Sequence, residues 1–189
     1  MFRINKRNCK NILKIKKTIK RRGNVIYIDE ELIGGANDMG GVISVFDVAN
    51  YFLSKEPMTH KKLQKLCYYA QAWYLALFDK ELFCSDFEAW VHGPVCPDLY
   101  YKYREHKWNE IPKSAQVPEI DDDLVDFLEE VFVTYGEFSG DELEILTHSE
   151  DPWKKAREGC EDWEPSNKTI DKKVMRDYYW MIYEKHQGN

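Results

Sequence analysis

The stretch Leu63–Phe78, which reads LQKLCYYAQAWYLALF, decides the fold of this 189-residue chain. Its apolar and aromatic side chains recur every three or four residues, which predicts a helix with one broad apolar stripe. Thr59 precedes the stretch and suits the N-cap position. Because the stripe is broad and aromatic, we expect this helix to be central and to end near Phe78. The stripe consists of Leu63, Leu66, Cys67, Ala70, Trp73, Tyr74 and Leu77.

Shorter helical patterns lie on both sides of this stretch. Ser44 suits the N-cap of a helix that ends near Lys55. Pro97 suits the first turn of another helix, because a missing N–H costs nothing there. Asp121 or Asp122 opens a helix whose apolar face consists of Leu124, Leu128, Val131, Phe132 and Tyr135.

Three further signals mark helices nearer the C-terminus. Ser139–Glu142 has the S-x-x-E spacing of a capping box. Asp151-Pro152 is typical of an N-cap followed by a first-turn proline, and predicts a short helix through Arg157. The last helix is predicted by a stripe of Ile170, Val174, Tyr178, Met181 and Ile182.

The only strand patterns in this part of the chain lie between the long helix and Pro97. Leu82–Phe83 and Phe87–Val91 flank a polar turn and predict two short strands, the second of which ends at Gly93-Pro94. Strands and helices do not alternate, which argues against a nucleotide-binding βαβ sheet. The sequence therefore predicts a mainly α fold: a single compact helical domain of about six or seven helices with one small antiparallel β hairpin.

Charge is distributed unevenly along the chain. Residues 1–22 hold ten of the 27 basic side chains and no acid, so the remainder carries 17 basic and 33 acidic groups. Residues 114–153 contain 13 acids and no Lys or Arg. The acids opposite the apolar face of the helix beginning near Asp122 form either a solvated surface or a docking surface for a basic protein. This acidic face comprises Asp122, Asp126, Glu129 and Glu130.

The domain boundary is predicted at the flexible sequence Gly34–Asp38. Residues 1–38 form a basic N-terminal extension and linker, and residues 39–189 form the folded domain. The extension is interpreted either as a solvated tail or as an arm whose ten cations bind anionic lipid or, weakly, nucleic acid. The alternative function for the chain is therefore a nucleic-acid-binding regulator that uses this arm. A short strand is predicted within Asn24–Ile28.

Composition favours a reduced, cytoplasmic protein that does not span a membrane. The longest uncharged run, Leu66–Phe78, has 13 residues, whereas a spanning helix needs about 20. The five cysteines are scattered and odd in number, which argues against a disulfide scaffold. No phosphate-binding loop or zinc-protease motif is present, so we predict no cofactor, no metal and no enzymatic activity.

Two groups of residues carry side chains that are suited to chemistry. Cys84, His92 and Cys96 lack the spacing of a zinc site, and the two cysteines are better interpreted as small buried hydrophobes. His148 has carboxylates nearby in sequence and could act as a general base. It is better interpreted as a helix-to-helix corner, in which the imidazole bonds a backbone carbonyl, Asp151 caps the next helix and Trp153 packs.

An aromatic cluster between the strands and the next helix has side chains that are suited to binding. Trp90, Tyr100, Tyr101 and Tyr103 could stack on nucleic-acid bases. No basic groove is evident around them, so core packing is predicted.

Several of these stretches together resemble one known family. They are Val45–Phe52, Met58–Tyr74, Phe87–Tyr100 and Leu146–Trp153, and they occur in the family's order over roughly Ile43–His186. The chain is similar to the Panacea domain of SocA-like antitoxins, a group that also includes phage-associated GepA-type proteins. The Leu-Gln-Lys-Leu helix, the Trp-x-x-Gly-Pro-Val turn and the Thr-His…Pro-Trp corner rarely coincide, so the resemblance is specific.

The resemblance implies a non-enzymatic antitoxin of a toxin–antitoxin system. It implies direct binding to a cognate toxin encoded nearby, and it admits a role as a proteolytic adaptor that delivers the toxin to ClpXP. The acidic face adds the expectation that this toxin is basic. Members of the shared pattern either hold the fold or contact the toxin; they are Gln64, Trp90, His92, Gly93, Pro94, Val95, Pro97, Tyr100, Thr147, His148, Pro152 and Trp153.

Overall fold

A computed structural model describes residues 21–22, 25–26, 43–115 and 118–187 of the protein. Within these ranges the chain forms seven α-helices and three small antiparallel strand pairs, so the fold is mainly α, as predicted. The helices are α1 (Val45–Lys55), α2 (His60–Phe78), α3 (Pro97–Tyr103), α4 (Asp122–Tyr135), α5 (Gly140–His148), α6 (Asp151–Ala156) and α7 (Lys172–Gln187). A single 3₁₀ turn, Arg104–His106, follows α3.

Helix α2 is the centre of the fold. Every residue from 63 to 73 is buried, so the helix is enclosed on all sides and not only along its apolar stripe. Helices α1, α3, α4, α5 and α7 all pack against it. The helix begins where predicted, because the Thr59 hydroxyl accepts a hydrogen bond from the backbone N–H of Lys62. It ends at Asp79, whose left-handed backbone (φ 53°) stops further winding.

The sequence signals for helix starts are largely confirmed. Ser44 and Asp47 form a reciprocal capping box at α1, and Ser139 and Glu142 form another at α5. The start of α6 is displaced by one residue from the prediction. Its N-cap is Glu150, so Asp151 lies inside the helix and provides no cap.

The strands are short and pair in three separate ribbons. β1 (Arg21–Arg22) pairs with β2 (Val25–Ile26), and β3 (Met58–Thr59) pairs with β6 (Glu110–Ile111). β4 (Glu88–Trp90) and β5 (Gly93–Val95) form the one hairpin next to α2. Its outer edge is also covered, since Ala89 N–H donates to the carbonyl oxygen of Lys168.

A small antiparallel hairpin forms as predicted, but it does not join the two predicted strands, because β4 lies within Phe87–Val91 and pairs with Gly93–Val95. Leu82–Phe83 is buried yet not a strand, because the Gln71 side chain takes its backbone bonds from the flank of α2. Gly93-Pro94 does not end a strand but belongs to β5, and the chain reverses at residues 91–92. The alternation of apolar and polar residues along the sequence could not reveal this pairing. The partner of a three-residue strand is fixed by packing and not by alternation.

The buried face of α7 also differs from the predicted stripe. Met175, Tyr179 and Tyr183 lie in the core. The predicted members Val174, Tyr178 and Ile182 are only half-buried, and Met181 is exposed. The helix carries aromatic side chains on several faces, so apolar spacing alone did not select the face that contacts α2.

Aromatic side chains fill the space among α2, α4 and α7. The rings of Tyr69 and Tyr135 stack at 3.8 Å, and Trp73 Nε1 donates to the Tyr135 hydroxyl over 2.8 Å. Tyr179 meets Trp73 edge to face at 5.2 Å. The three helices are therefore held together by a hydrogen bond between aromatic side chains as well as by buried apolar area.

Other sequence expectations have mixed outcomes. Cys96 is buried as predicted, whereas Cys84 is exposed, which is wrong for a buried hydrophobe. Strand β2 lies within the strand predicted for Asn24–Ile28. The remainder of residues 1–38 lies outside the described ranges, apart from β1. No helix in the described part of the chain is long and apolar enough to cross a bilayer.

The core position of Leu128 gives a test of the fold. Leu128 is fully buried on α4, whereas Val133 on the same helix is 45% exposed. Leu128→Asp should cost about 3–5 kcal/mol of unfolding free energy, because it removes packing and buries a charge. Val133→Asp should change stability by less than about 1 kcal/mol. Urea unfolding followed by circular dichroism measures both, and equal losses would contradict the assigned core face.

Candidate functional site

A buried lysine fastens the hairpin turn to α2. Lys65 is 1% exposed, and its Nζ donates to the carbonyl oxygens of His92 (2.7 Å) and Pro94 (3.2 Å). Burial lowers the pKa of the Lys65 ammonium to about 7, because a charge is poorly solvated there. These bonds fix the turn between β4 and β5 to the rigid centre of the molecule.

Gly93 allows the hairpin to approach this lysine. Its φ of 94° is a backbone conformation that residues with a side chain rarely adopt. A Cβ at this position would lie 2.6 Å from Lys65 Cε and 2.9 Å from Thr147 Oγ1. Glycine is therefore required here for both its conformation and its size.

A glutamine one residue earlier holds the next segment. Gln64 Oε1 accepts from the backbone N–H of Cys96 (2.8 Å), and its Nε2 donates to the carbonyl oxygen of the same residue (3.1 Å). This two-point clamp sits at the N-cap of α3, immediately before Pro97. It fixes the direction in which α3 leaves the hairpin.

The corner between α5 and α6 also holds the hairpin. Trp153 Nε1 donates to the carbonyl oxygen of Trp90 over 3.0 Å. The His148 imidazole stacks on Trp153 with ring centres 4.0 Å apart. Its buried Nε2 has no hydrogen-bond partner among residues 43–115 and 118–187, so the predicted bond to a carbonyl is wrong for this nitrogen. Burial lowers the pKa of His148, and the ring serves as packing.

Arg157 is a further clamp that sequence reasoning missed. Its guanidinium is buried, and Nη1 donates to the carbonyl oxygen of Ala89 over 3.0 Å. Nη2 donates to the carbonyl oxygens of Glu161 and Glu164, each over 2.7 Å. The arginine thereby joins the hairpin to the segment that follows α6.

A groove of about 700 Å³ opens beside the fastened hairpin. Its walls come from the start of α2, from β4 and β5, from α3 with the following loop, and from the start of α5. Trp90 and Tyr100 are half-buried in it, and Trp108 is 76% exposed at its rim. The prediction that this aromatic cluster is all core is correct for Tyr103 and wrong for Tyr101, which is 65% exposed.

Both signs of charge meet on the α5 side of the groove. Lys61 Nζ contacts Glu144 (2.6 Å) and Asp141 (2.7 Å), and His92 Nδ1 lies 3.0 Å from Glu144. Burial alone would raise the pKa of Glu144, but the hydrogen bonds from Lys61 and His92 outweigh it and lower the pKa. This ion-pair cluster is satisfied internally and holds α5 against α2.

The acidic face of α4 is divided by its contacts. Asp122 and Asp126 are exposed. Glu129 accepts from the Tyr51 hydroxyl (2.7 Å) and pairs with Lys55 (2.6 Å), so it also holds α1. Glu130 is half-buried. None of the four lines the groove, which makes the acidic face a separate surface.

The structure thus brings most of the sequence-predicted site residues together. Those that form or touch the hairpin and its fastenings are Gln64, Trp90, His92, Gly93, Pro94, Val95, Thr147, His148 and Trp153. Pro97 and Tyr100 lie on α3, and Pro152 is buried in α6. The sequence analysis did not predict a site role for Lys65, Arg157, Arg104, Lys107 or Trp108, although Lys65 belongs to the Leu-Gln-Lys-Leu motif. Only Lys65 gave a signal, since it is a charged residue among the apolar positions of the central helix.

A second buried polar cluster lies under the α5–α6 corner. Glu150 is 2% exposed and accepts from the hydroxyls of Tyr179 (2.6 Å) and Tyr69 (3.4 Å). Burial raises the pKa of Glu150 to about 8, although the hydrogen bonds from both hydroxyls act to lower it. The carboxyl group therefore titrates near neutral pH inside the core.

Comparison with known proteins identifies the segment that contains these features. Residues 63–154 match the family model described as antitoxin SocA-like, Panacea domain. Antitoxin SocA of Caulobacter vibrioides (strain NA1000 / CB15N) is 31% identical to the chain over 124 residues. That match covers 56% of this chain and 66% of the relative, slightly less than two thirds of its length. No solved structure matches the chain.

The requirement for glycine in the hairpin can be tested with a matched pair. Gly93→Ala should cost about 2–4 kcal/mol of unfolding free energy, because strain at positive φ adds to a clash with Lys65. Gly159 also has a positive φ (82°), but no atom lies within 4 Å of the position that a Cβ would take there. Gly159→Ala should therefore cost only about 1–2 kcal/mol. Similar losses in urea unfolding would show that the close approach to Lys65 is unimportant.

The buried carboxyl predicts a pH dependence of stability. The pKa of Glu150 is higher in the folded protein than in the unfolded chain, so the folded state binds a proton more tightly. The protonated group therefore contributes stability below about pH 4.5, and this contribution is lost as the pH rises to about 8. Glu150→Gln should remove this loss and gain about 2–4 kcal/mol relative to wild type by pH 8.5. The titration of Lys65 affects both proteins equally, so it cancels in the difference between their free energies of unfolding.

The measurement is the free energy of unfolding of both proteins from pH 5 to pH 8.5. Glu158→Gln, at an exposed carboxylate, is the control for the loss of one acidic side chain. A constant difference between wild type and Glu150→Gln across this range would contradict the assigned titration.

Proposed function

We propose that this chain, which is similar to SocA-like Panacea domain proteins, acts as a non-enzymatic antitoxin that neutralises a toxin by direct protein–protein binding. The observation that supports this proposal is that motif side chains form hydrogen bonds to the backbone of the hairpin. Gln64, Lys65 and Trp153 each donate a hydrogen bond to a backbone carbonyl oxygen of the hairpin or of Cys96, which follows it. Such residues hold a shape, which suits a binding scaffold better than a reaction centre.

The partner in this proposal is a toxin encoded beside the antitoxin. Two outcomes of binding are open to it: sequestration of the toxin, or delivery of the toxin to a ClpXP protease with the chain as adaptor. The second follows from the resemblance to SocA-like proteins. The half-life of the toxin in cells with and without ClpX separates them, because sequestration leaves the half-life unchanged by loss of the protease.

Co-expression tests the antitoxin role. The toxin gene adjacent to this one is expressed from one inducible promoter and the chain from another in the same cells. Growth should be restored by wild-type chain and not by Leu128→Asp, which is expected to be unfolded. Failure of the wild-type chain to restore growth, when both proteins are detected in the cells, would refute the proposal.

The acidic face of α4 is proposed as a docking surface for a basic toxin. Asp122 and Asp126 are exposed, and charges at the rim of an interface chiefly steer the encounter. Asp122→Lys/Asp126→Lys should slow association by about tenfold at low salt and weaken its dependence on salt. Because Asp122 lies in the first turn of α4, a loss of about 1 kcal/mol in stability is also expected.

The matched control reverses two exposed acids elsewhere. Glu161→Lys/Asp162→Lys makes the same change in net charge beyond α6. Stopped-flow association with the toxin at two salt concentrations compares the variants. If both double variants associate at the same rate, net charge and not the α4 face steers the toxin.

A further inference from the structure

The groove beside the hairpin differs in charge from the rest of the domain. Four of its lining side chains are cationic, namely Lys61, Lys65, Arg104 and Lys107, and one is a carboxylate, Asp141. In contrast, residues 23–189 carry 17 basic and 33 acidic groups. A basic partner would be repelled here and would find better surfaces elsewhere, so the groove calls for a different ligand from the acidic face.

Two of the four cations are available to a ligand. Lys65 is buried against backbone carbonyls, and Lys61 is paired with acids of α5. The Lys107 ammonium makes no ion pair within residues 43–115 and 118–187. Within the same ranges Arg104 makes one ion pair, a 3.5 Å contact with its exposed neighbour Glu105, and its guanidinium lies 5.5 Å from the centre of the exposed Tyr101 ring. The free positive charge therefore lies at the rim formed by the loop after α3.

An apolar surface lies directly beside these cations. Trp108 is 76% exposed, and its ring lies 5.8 Å from Lys61 Nζ and 6.4 Å from the His92 ring, so it forms a wall of the groove. Trp90 and Tyr100, whose ring centres lie 4.8 Å apart, also line the groove. Tryptophan, tyrosine and arginine dominate the energetics of protein interfaces.

We infer that this groove binds an acidic segment of a protein partner, and that the segment inserts one large apolar side chain against the aromatic lining formed by Trp108, Trp90 and Tyr100. The carboxylates of the segment would meet Arg104 and Lys107 at the rim. The inference rests on the proposed function, since it takes the partner to be a protein, and it names the chemistry of the segment that is bound.

A peptide fits these charges better than a nucleic acid does. Single-stranded nucleic acid needs a continuous cationic track for successive phosphates. Here the two rim cations are bounded by carboxylates, because Glu105 follows Arg104, Glu110 lies two residues beyond Trp108, and Asp141 lines the groove. A short acidic segment needs only one or two cations and one apolar pocket, which is what the groove offers.

The direct experiment uses a random dodecapeptide library displayed on phage and selected on the immobilised full chain. Enriched peptides should carry Asp or Glu flanking a Trp, Phe or Leu. Synthetic, fluorescein-labelled copies should lose about tenfold or more in affinity for Arg104→Glu/Lys107→Glu and for Trp108→Ala. Lys155→Glu/Lys185→Glu, which reverses two exposed lysines on α6 and α7, should bind them as wild type does.

Several results would overturn the inference. These are a lack of enrichment, a basic or uncharged consensus, or affinities that the groove variants leave unchanged. A fluorescein-labelled twelve-residue oligothymidylate that binds wild type and loses affinity in the same groove variants would assign the groove to nucleic acid instead. Circular dichroism of each variant ensures that a loss of binding is not a loss of fold.

Growth rescue by the co-expressed chain separates this inference from the proposed function. If wild type fails to rescue growth, the antitoxin role is refuted, whereas peptide binding still decides the ligand of the groove. If wild type and Arg104→Glu/Lys107→Glu rescue growth equally well, the antitoxin role stands and the groove is not the contact with the toxin. Rescue by wild type and by the Lys155→Glu/Lys185→Glu control, with failure of the groove variant, supports both.

Discussion

The enclosure of α2 is the constraint on which the rest of the structure depends. A helix that is buried on every side cannot turn its polar residues to water, so Gln64, Lys65 and Gln71 must find partners within the protein. All three find them in backbone groups between α2 and α3, either in the hairpin or in the irregular segments that flank it. The cost of burying polar groups is thereby offset by bonds that attach the surrounding loops and hairpin to the centre.

This constraint explains the roles of residues that resemble catalytic ones. A lysine with a lowered pKa and a histidine beside carboxylates suggest chemistry when they are taken alone. In this molecule Lys65 supports two carbonyl groups, and His148 stacks on the indole that bonds the hairpin. Their shifted pKa values follow from burial in a packed scaffold. The outcome is a hairpin that is held by hydrogen bonds from Lys65 of α2, from Trp153 at the α5–α6 corner and from Arg157.

A rigid turn beside a groove suits a protein that works by contact, in keeping with the match of residues 63–154 to the SocA-like Panacea model and with the similarity to antitoxin SocA. The exposed surface divides into regions of opposite character. The outer side of α4 carries exposed carboxylates, whereas the loop after α3 carries cations and an exposed indole. A partner that presents basic side chains in one place and an acidic, apolar segment in another would satisfy both regions and would be positioned by their relative orientation.

The sequence by itself determined the local features of this protein. Caps at Ser44, Thr59 and Ser139 and the pattern of Leu63–Phe78 depend on neighbours within one or two helical turns, so they could be predicted without a fold. The tertiary structure decided everything that depends on distant neighbours. It placed Met175 and Tyr179 of α7 in the core of the domain and paired Glu88–Trp90 with Gly93–Val95. It also brought Arg104, Lys107 and Trp108 together around one groove. Periodicity gives the direction of a side chain relative to its own helix or strand, but not the surface that it meets, because that depends on how the helices pack around α2.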